Sequence, residues 1–243
     1  LESEYLAPLP AEIDLRLIVT DMDGTLIDGD GRVPVRLDEV VARMREAGII
    51  FAPASGRQLA NLRAVLGHVV DDSPLIAESG ALAVHGNEEI HSDTISAEEA
   101  GAAIATAREL TSSGYDVGTV VACKRCAYIE RSDPAFLAQA RLYYAALEIV
   151  DDLMTIPLDE VLKVAVFDFD DVENGSSQAL AAAVPSVQTA VSGLHWMDMT
   201  SPRRDARWRR FRPGSGSFRS RRPSSVTTST ILTSTSTRTW VSL

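Results

Sequence analysis

The chain has 243 residues, 45% of them hydrophobic, and a formal net charge of −11. That length can bury one large core or two smaller ones, and the acidic balance argues against nucleic acid or an anionic membrane surface as the main partner. No apolar run approaches the ~20 residues that cross a bilayer, and two cysteines, Cys123 and Cys126, cannot build a disulfide framework, so a cytoplasmic setting is expected. The chain opens at Leu1 rather than methionine and without a signal peptide, so a start upstream of this sequence is expected.

The elements alternate from the outset. LRLIVTD (residues 15–21) is a short continuous apolar run suited to a strand covered on both faces. PVRLDEVVARMREAG (34–48) spaces Leu37, Val40, Val41 and Met44 at helical intervals, with Pro34 near its start and Gly48 as a stop. IIFAPAS (49–55) predicts a second strand, GRQLANLRAVLGHV (56–69) a second helix and SPLIAES (73–79) a third strand. This order predicts an α/β fold with a parallel sheet and right-handed crossovers. In such sheets ligands sit beyond the carboxyl ends of the strands, and Asp21 and Ser55 each stand at such an end.

The acids at the first strand end call for a chemical reason. Negative charge there is costly unless something positive binds. Oxygen ligands from aspartate and backbone carbonyl suit Mg²⁺, which keeps waters and bridges to substrate phosphate. A carboxylate is also a nucleophile able to form an aspartyl-phosphate, and a second acid two residues on can serve as acid and base. Gly24 permits the turn and Thr25 can cap the segment after it. On the three residues Asp-Gly-Thr alone, a solvated acidic turn explains as much.

The wider pattern is more specific. DMDGTLID (21–28) resembles the first motif of the haloacid dehalogenase superfamily, and FAPASGRQ (51–58) resembles its second, a Ser or Thr closing the next strand followed by Gly-Arg. LIAESGALAV (75–84) is similar to the segment that leads into the cap in the Cof-like sugar-phosphatase branch, where Asn-Gly-Ala is common; Ser79-Gly80-Ala81 departs by one residue. The resemblance implies a Rossmann-like parallel-sheet core with an inserted α/β cap domain. It also implies roles: Asp21 the nucleophile, Asp23 the acid and base, and the Ser55 hydroxyl with the Gly56 N–H the holders of the phosphoryl group. Mg²⁺ would touch the Asp21 carboxylate and the Asp23 backbone carbonyl.

The middle of the chain fits that cap. SAEEAGAAIATARELTSSG (96–114) predicts a helix with Ser96 and Glu99 as a capping box. YDVGTVVAC (115–123) and CAYIERS (126–132) are strand-like, DPAFLAQARLYYAALEIV (133–150) reads as a helix, VLKVAVFDFDD (161–171) as a strand and SSQALAAAVP (176–185) as a helix. VQTAVSG (187–193) and LHWMDMT (194–200) read as a closing strand pair. The expected division is therefore 1–84 as core, 85–195 as cap and 196–243 as a remnant of the core with an aberrant, disordered tail.

Other features have plainer readings. Cys123-Lys-Arg-Cys126 lacks the second pair that a four-ligand zinc site needs. Lys163 lies inside a strand-like run and reads as a structural lysine rather than the family's catalytic one. FDFDD (167–171) lacks Gly-Thr and reads as a solvated strand end, and His195 and Trp196 read as packing residues.

The tail breaks the pattern. Residues 203–243 hold ten arginines against one aspartate, a net of +9, whereas the first 202 residues hold 13 Lys+Arg against 33 Asp+Glu, a net of −20. The third motif of the family, a lysine, and the fourth, Gly-Asp-x-x-Asn-Asp, should follow LHWMDMT, and neither is present in the chain. Joining the third base of each codon to the first two of the next lets SVTTSTI (225–231) encode Gly-Asp-Asn-Leu-Asn-Asp. In the same shifted frame RRDARW (203–208) permits Lys-Gly-Arg-Ala-Leu, and the shifted lysine and first aspartate lie 23 positions apart. A slipped reading frame explains both; the plainer alternative is a disordered Arg- and Ser/Thr-rich tail.

The sequence therefore points to a Mg²⁺-dependent phosphatase of small phosphate monoesters resembling sugar phosphates, impaired in the chain as written. A phosphomutase of the same superfamily and a catalytically inactive or nonfunctional product are the alternatives. The partner expected is a small phosphorylated metabolite, with neither nucleic acid nor membrane; the sequence is silent on oligomeric state.

Overall fold

A computed structural model describes residues 15–192 and 194–202. The chain divides into two compact units: described residues up to Pro53 belong to one, and those from Ala54 onward to the other.

The first unit holds β1 (Leu17–Asp21), α1 (Leu37–Glu46) and most of β2 (Ile50–Ala54). Leu17, Met22 and Ile27 are buried, as are Leu37 and Val41 of α1. The apolar stripe of α1 is narrower than its spacing suggests, because Val40 is exposed. The helix begins at Leu37, three residues beyond Pro34, whose carbonyl accepts the Leu37 N–H at 2.9 Å. Asp38 and Glu39 in its first turn and Arg43 and Arg45 in its last match the helix dipole. Gly48 stops it with a left-handed φ of +73°, a conformation costly for other residues.

In the second unit Ala54 pairs in parallel with Ile76 of β3 (Pro74–Ala77), the parallel pairing the strand–helix–strand order predicts. The crossover between them carries α2 (Leu59–Leu66), which buries Leu62 and Leu66. Beyond β3 the chain folds back as β4 (Leu82–His85) and β5 (Glu88–Ser92), each antiparallel to the strand before it.

The rest of this unit contains α3 (Ala97–Ser112), β6 (Val117–Cys123), β7 (Ala127–Ile129), α4 (Pro134–Tyr143), β8 (Leu147–Ile149), β9 (Val161–Asp168), α5 (Ser177–Ala183), β10 (Gln188–Ser192) and β11 (Trp196–Thr200). The strands form a second sheet in the order β10-β11-β9-β6-β7-β8. All eight residues of β9 are buried, because both faces of the sheet are covered. Val161, Val164 and Val166 pack with Ile104, Ala107 and Leu110 of α3 and Leu180 of α5. Ala165 and Phe167 pack with Phe136 and Ala140 of α4. A strand alternates its side chains between faces, so two coverings call for apolar residues on both, and Lys163 is the exception inside the run.

The capping box of α3 is formed: Ser96 Oγ accepts from the Glu99 N–H, and the Glu99 carboxylate accepts from the Ser96 N–H at 2.8 Å. The helix expected over 133–150 is shorter. Asp133 caps it and Pro134 fills its first turn, but it ends at Tyr143, and Leu147–Ile149 pairs in parallel with β7 instead. Leu-Glu-Ile-Val is compatible with an edge strand, and the backbone hydrogen bonds of β7 decide it. FDFDD is also not simply a solvated end. Asp168 is buried and accepts from the Asp170 N–H at 3.1 Å and the Ser176 N–H at 3.2 Å. A side chain at Gly175 would meet that carboxylate at 2.9 Å. His195 stacks on Phe167 at 5.2 Å, and Trp196 meets Phe167 edge-on at 5.0 Å, the packing roles expected of them. The shifted-frame motifs of 203–243 lie outside the described residues.

Candidate active site

Asp21 ends β1, and a tight turn comes directly after it. The Leu26 N–H donates to the Asp21 carbonyl at 3.2 Å, the Ile27 N–H to the Met22 carbonyl at 2.9 Å, and the Gly24 N–H to the Ile27 carbonyl at 3.1 Å. Gly24 takes φ +71° at the apex. Met22 and Ile27 point inward and are buried, while Asp21, Asp23 and Gly24 are exposed. The local sequence thus anchors the turn by two apolar residues and leaves its two carboxylates outside. Partial burial pushes the Asp21 carboxyl above its ordinary pKa; the Met22 backbone N–H draws it back, and Asp23 adds repulsion.

Ser55 and Gly56 follow β2 in the second unit, three residues or more before the first turn of α2 at Leu59. Three successive carbonyls of this loop are engaged. The Ser55 carbonyl accepts from the Ser79 N–H at 2.9 Å, that of Gly56 from Lys163 Nζ at 3.2 Å and that of Arg57 from the Glu78 N–H at 3.0 Å. Ser55 Oγ accepts from the Arg57 N–H at 3.1 Å. A Cβ at Gly56 would come within 3.0 Å of Ser79 Oγ, so glycine keeps this approach close.

Sequence reasoning missed the residues that shape this loop. Glu78 and Ser79 have φ of +49° and +55°, a conformation rare outside glycine, and both donate their N–H groups to it. The available signal was the departure from Asn-Gly-Ala just before Gly80. Gln58 was missed as well: its side-chain amide both donates to the Ala146 carbonyl and accepts from the Ala146 N–H, each at 2.8 Å. Lys163, read as structural, is 4% exposed. Its ammonium lies 3.0 Å from Glu78 Oε2, 3.4 Å from Asp198 Oδ2 and 5.5 Å from the centre of the Tyr144 ring. Burial pushes the Lys163 pKa down, but Glu78, then Tyr144 and Asp198, outweigh it and hold it well above the ordinary value. Burial pushes the Cys123 thiol up to about 12, the state of an inert core cysteine.

A metal site must be judged by its donors. Among the described residues no three His, Cys, Asp or Glu side chains converge to make a complete cage. Magnesium takes only one or two carboxylates beside waters and substrate phosphate. The exposed Asp21 carboxylate, its charge opposed by burial and by Asp23, is a donor of that kind.

Comparison with known proteins bears on family and fold. A family model described as haloacid dehalogenase-like hydrolase matches residues 18–203. The 5-amino-6-(5-phospho-D-ribitylamino)uracil phosphatase YbjI of Escherichia coli is 26% identical over 193 residues, covering 78% of this chain and 69% of that protein. The HMP-PP phosphatase of Escherichia fergusonii is 29% identical over 167 residues, covering 65% of this chain and 56% of that protein. Among solved structures, a haloacid dehalogenase-like hydrolase from Bacteroides thetaiotaomicron superposes with a TM-score of 0.66 at 19% identity, covering 79% of this chain and 73% of that one. The match of the family model over most of the sequence decides the assignment: the chain belongs to the haloacid dehalogenase-like hydrolases.

Proposed function

We infer that the protein is a phosphoric monoester hydrolase acting on small, sugar phosphate-like metabolites through an aspartyl-phosphate on Asp21. The observation that carries this reading is the turn itself, with Asp21 exposed at the end of β1 and Asp23 exposed two residues on. The two curated relatives act on phosphorylated metabolites by name, one of them bearing its phosphate on a ribityl chain. An Asp21 carboxylate oxygen attacks phosphorus as the bond to the leaving oxygen breaks, and Asp23 gives that oxygen its proton. Asp23 then takes a proton from water, whose oxygen attacks the aspartyl-phosphate, releasing phosphate and restoring Asp21. The Ser55 hydroxyl and Gly56 N–H hold the phosphoryl oxygens. Asp21 and the Asp23 carbonyl would hold Mg²⁺, which when bound neutralises charge on the phosphoryl group.

The division of labour proposed is a core over 1–84, a cap over 85–195 and a core remnant from 196. The six-stranded sheet supports the cap, and its strand β11 (Trp196–Thr200) carries it past residue 195. A second reading, an inactive product, is favoured by the lack of the third- and fourth-motif residues in 203–243. Each missing electrostatic partner costs about 10²–10³-fold in rate, so the polypeptide as written should release no more than trace phosphate. The test is phosphate release from p-nitrophenyl phosphate with Mg²⁺, on this polypeptide and on the product of a gene with the frame restored near codon 203. Activity appearing only on restoration supports both readings. Full activity in the unaltered chain overturns the impairment, and silence in both overturns the hydrolase.

A further inference from the structure

We propose that Lys163 is a positioning residue for the phosphate cradle: it holds the Gly56–Arg57 peptide in the orientation that turns the Ser55 hydroxyl into a donor. This rests on reading Ser55 as a phosphate ligand. In a trans peptide the C=O and N–H point to opposite sides of one rigid plane. Lys163 Nζ donates to the oxygen end of that plane, the Gly56 carbonyl, at 3.2 Å. The other end, the Arg57 N–H, donates to Ser55 Oγ at 3.1 Å. A hydroxyl that accepts from the backbone still carries its own proton, which it can then give to a ligand oxygen. The ammonium also polarises the peptide, strengthening the N–H at its far end.

The surroundings of Lys163 fit this task. A lysine with 4% exposure is costly to bury, and the two carboxylates beside it, Glu78 and Asp198, neutralise it without reaching the loop carbonyl it holds. Glu78 contributes twice, its side chain meeting Lys163 and its N–H holding the Arg57 carbonyl at 3.0 Å. The left-handed backbone at Glu78 and Ser79 is what lets one short segment do both. The lysine comes from β9, the central strand of the six-stranded sheet, so that sheet has a direct hold on the loop of Ser55.

Two readouts test the proposal on the full chain: the hydrogen-exchange rate of the Arg57 amide by NMR, and the affinity for inorganic phosphate by calorimetry. Lys163→Met alone strands the buried Glu78 and the partly buried Asp198 and can unfold the protein, so the informative variant is Lys163→Met with Glu78→Gln and Asp198→Asn. Its control is Glu78→Gln with Asp198→Asn, Lys163 retained. The triple variant should exchange the Arg57 amide about tenfold faster than the control and bind phosphate about tenfold more weakly. Equal exchange and equal affinity in the two overturn the proposal. Ser55→Ala separates the underlying reading: if it leaves phosphate affinity unchanged, Ser55 is no phosphate ligand, while the Arg57 amide still reports whether Lys163 holds the peptide.

Discussion

Two charged regions of this molecule handle charge in opposite ways. In the turn after β1, Asp21 and Asp23 are exposed, of like sign, on a loop closed by backbone hydrogen bonds. Behind the Ser55 loop, Lys163 is buried between acids of opposite sign and within hydrogen-bonding reach of a carbonyl. The first arrangement leaves like charges side by side at the surface, where solvent and solutes reach them. The second sets opposite charges against each other and gains a fixed geometry. A working acid and a supporting base are thus distinguished by exposure and by the sign of their neighbours rather than by residue type.

The comparison can be broken most sharply at Asp21. With the reading frame restored, Asp21→Asn should lower phosphate release by about 10³-fold or more while circular dichroism stays unchanged; turnover within a few-fold of the parent would remove Asp21 from the chemistry. Next in size is the loss of the buried cation. Lys163→Met alone should destabilise the second unit by about 3–5 kcal/mol, because it leaves the buried Glu78 and the partly buried Asp198 without their partner, and urea unfolding measures it. Far from either region, Ser96→Ala should cost about 1 kcal/mol through the lost cap of α3. That value calibrates what an ordinary local contact contributes.

The smallest effects concern pH. The Asp21 pKa is raised in the fold, so the neutral form is the favoured one there. Its contribution is present below the ordinary carboxylate range and lost as pH rises through the raised value. Asp21→Asn should therefore be more stable than the parent at neutral pH by less than about 1 kcal/mol, since the group is exposed, and the gap should close as pH falls below the carboxylate range. Without metal, the Asp21 carboxyl should titrate above an unperturbed aspartate by NMR; a titration at or below that range contradicts the partial burial described.

Much of this was legible before folding. Short, largely apolar runs marked β1, β2, β3 and β9; the covering on both faces read into such runs holds for β9, buried throughout, and not for β1, where only Leu17 is buried. The Asp-x-Asp-Gly-Thr stretch was legible as a turn, because a turn that keeps two acids outside needs only local residues: Met22 and Ile27 to anchor it and Gly24 to bend it. The capping box at Ser96 and Glu99 is equally local. The helix read over 133–150 failed at Leu147–Ile149, where pairing with β7 outweighs a weak helical pattern.

The sequence by itself determined whatever depends on residues a few positions apart: the strand ends, the acidic turn, the caps and, through them, the family. The tertiary structure alone decided the support of the Ser55 loop. Lys163 and Gly56 are 107 positions apart, and Gln58 and Ala146 are 88 apart. No periodicity carries such a distance, because burial and charge pairing are set by which strands come together in space. A lysine in an apolar run looks like an exception until the fold brings it two carboxylates and a carbonyl.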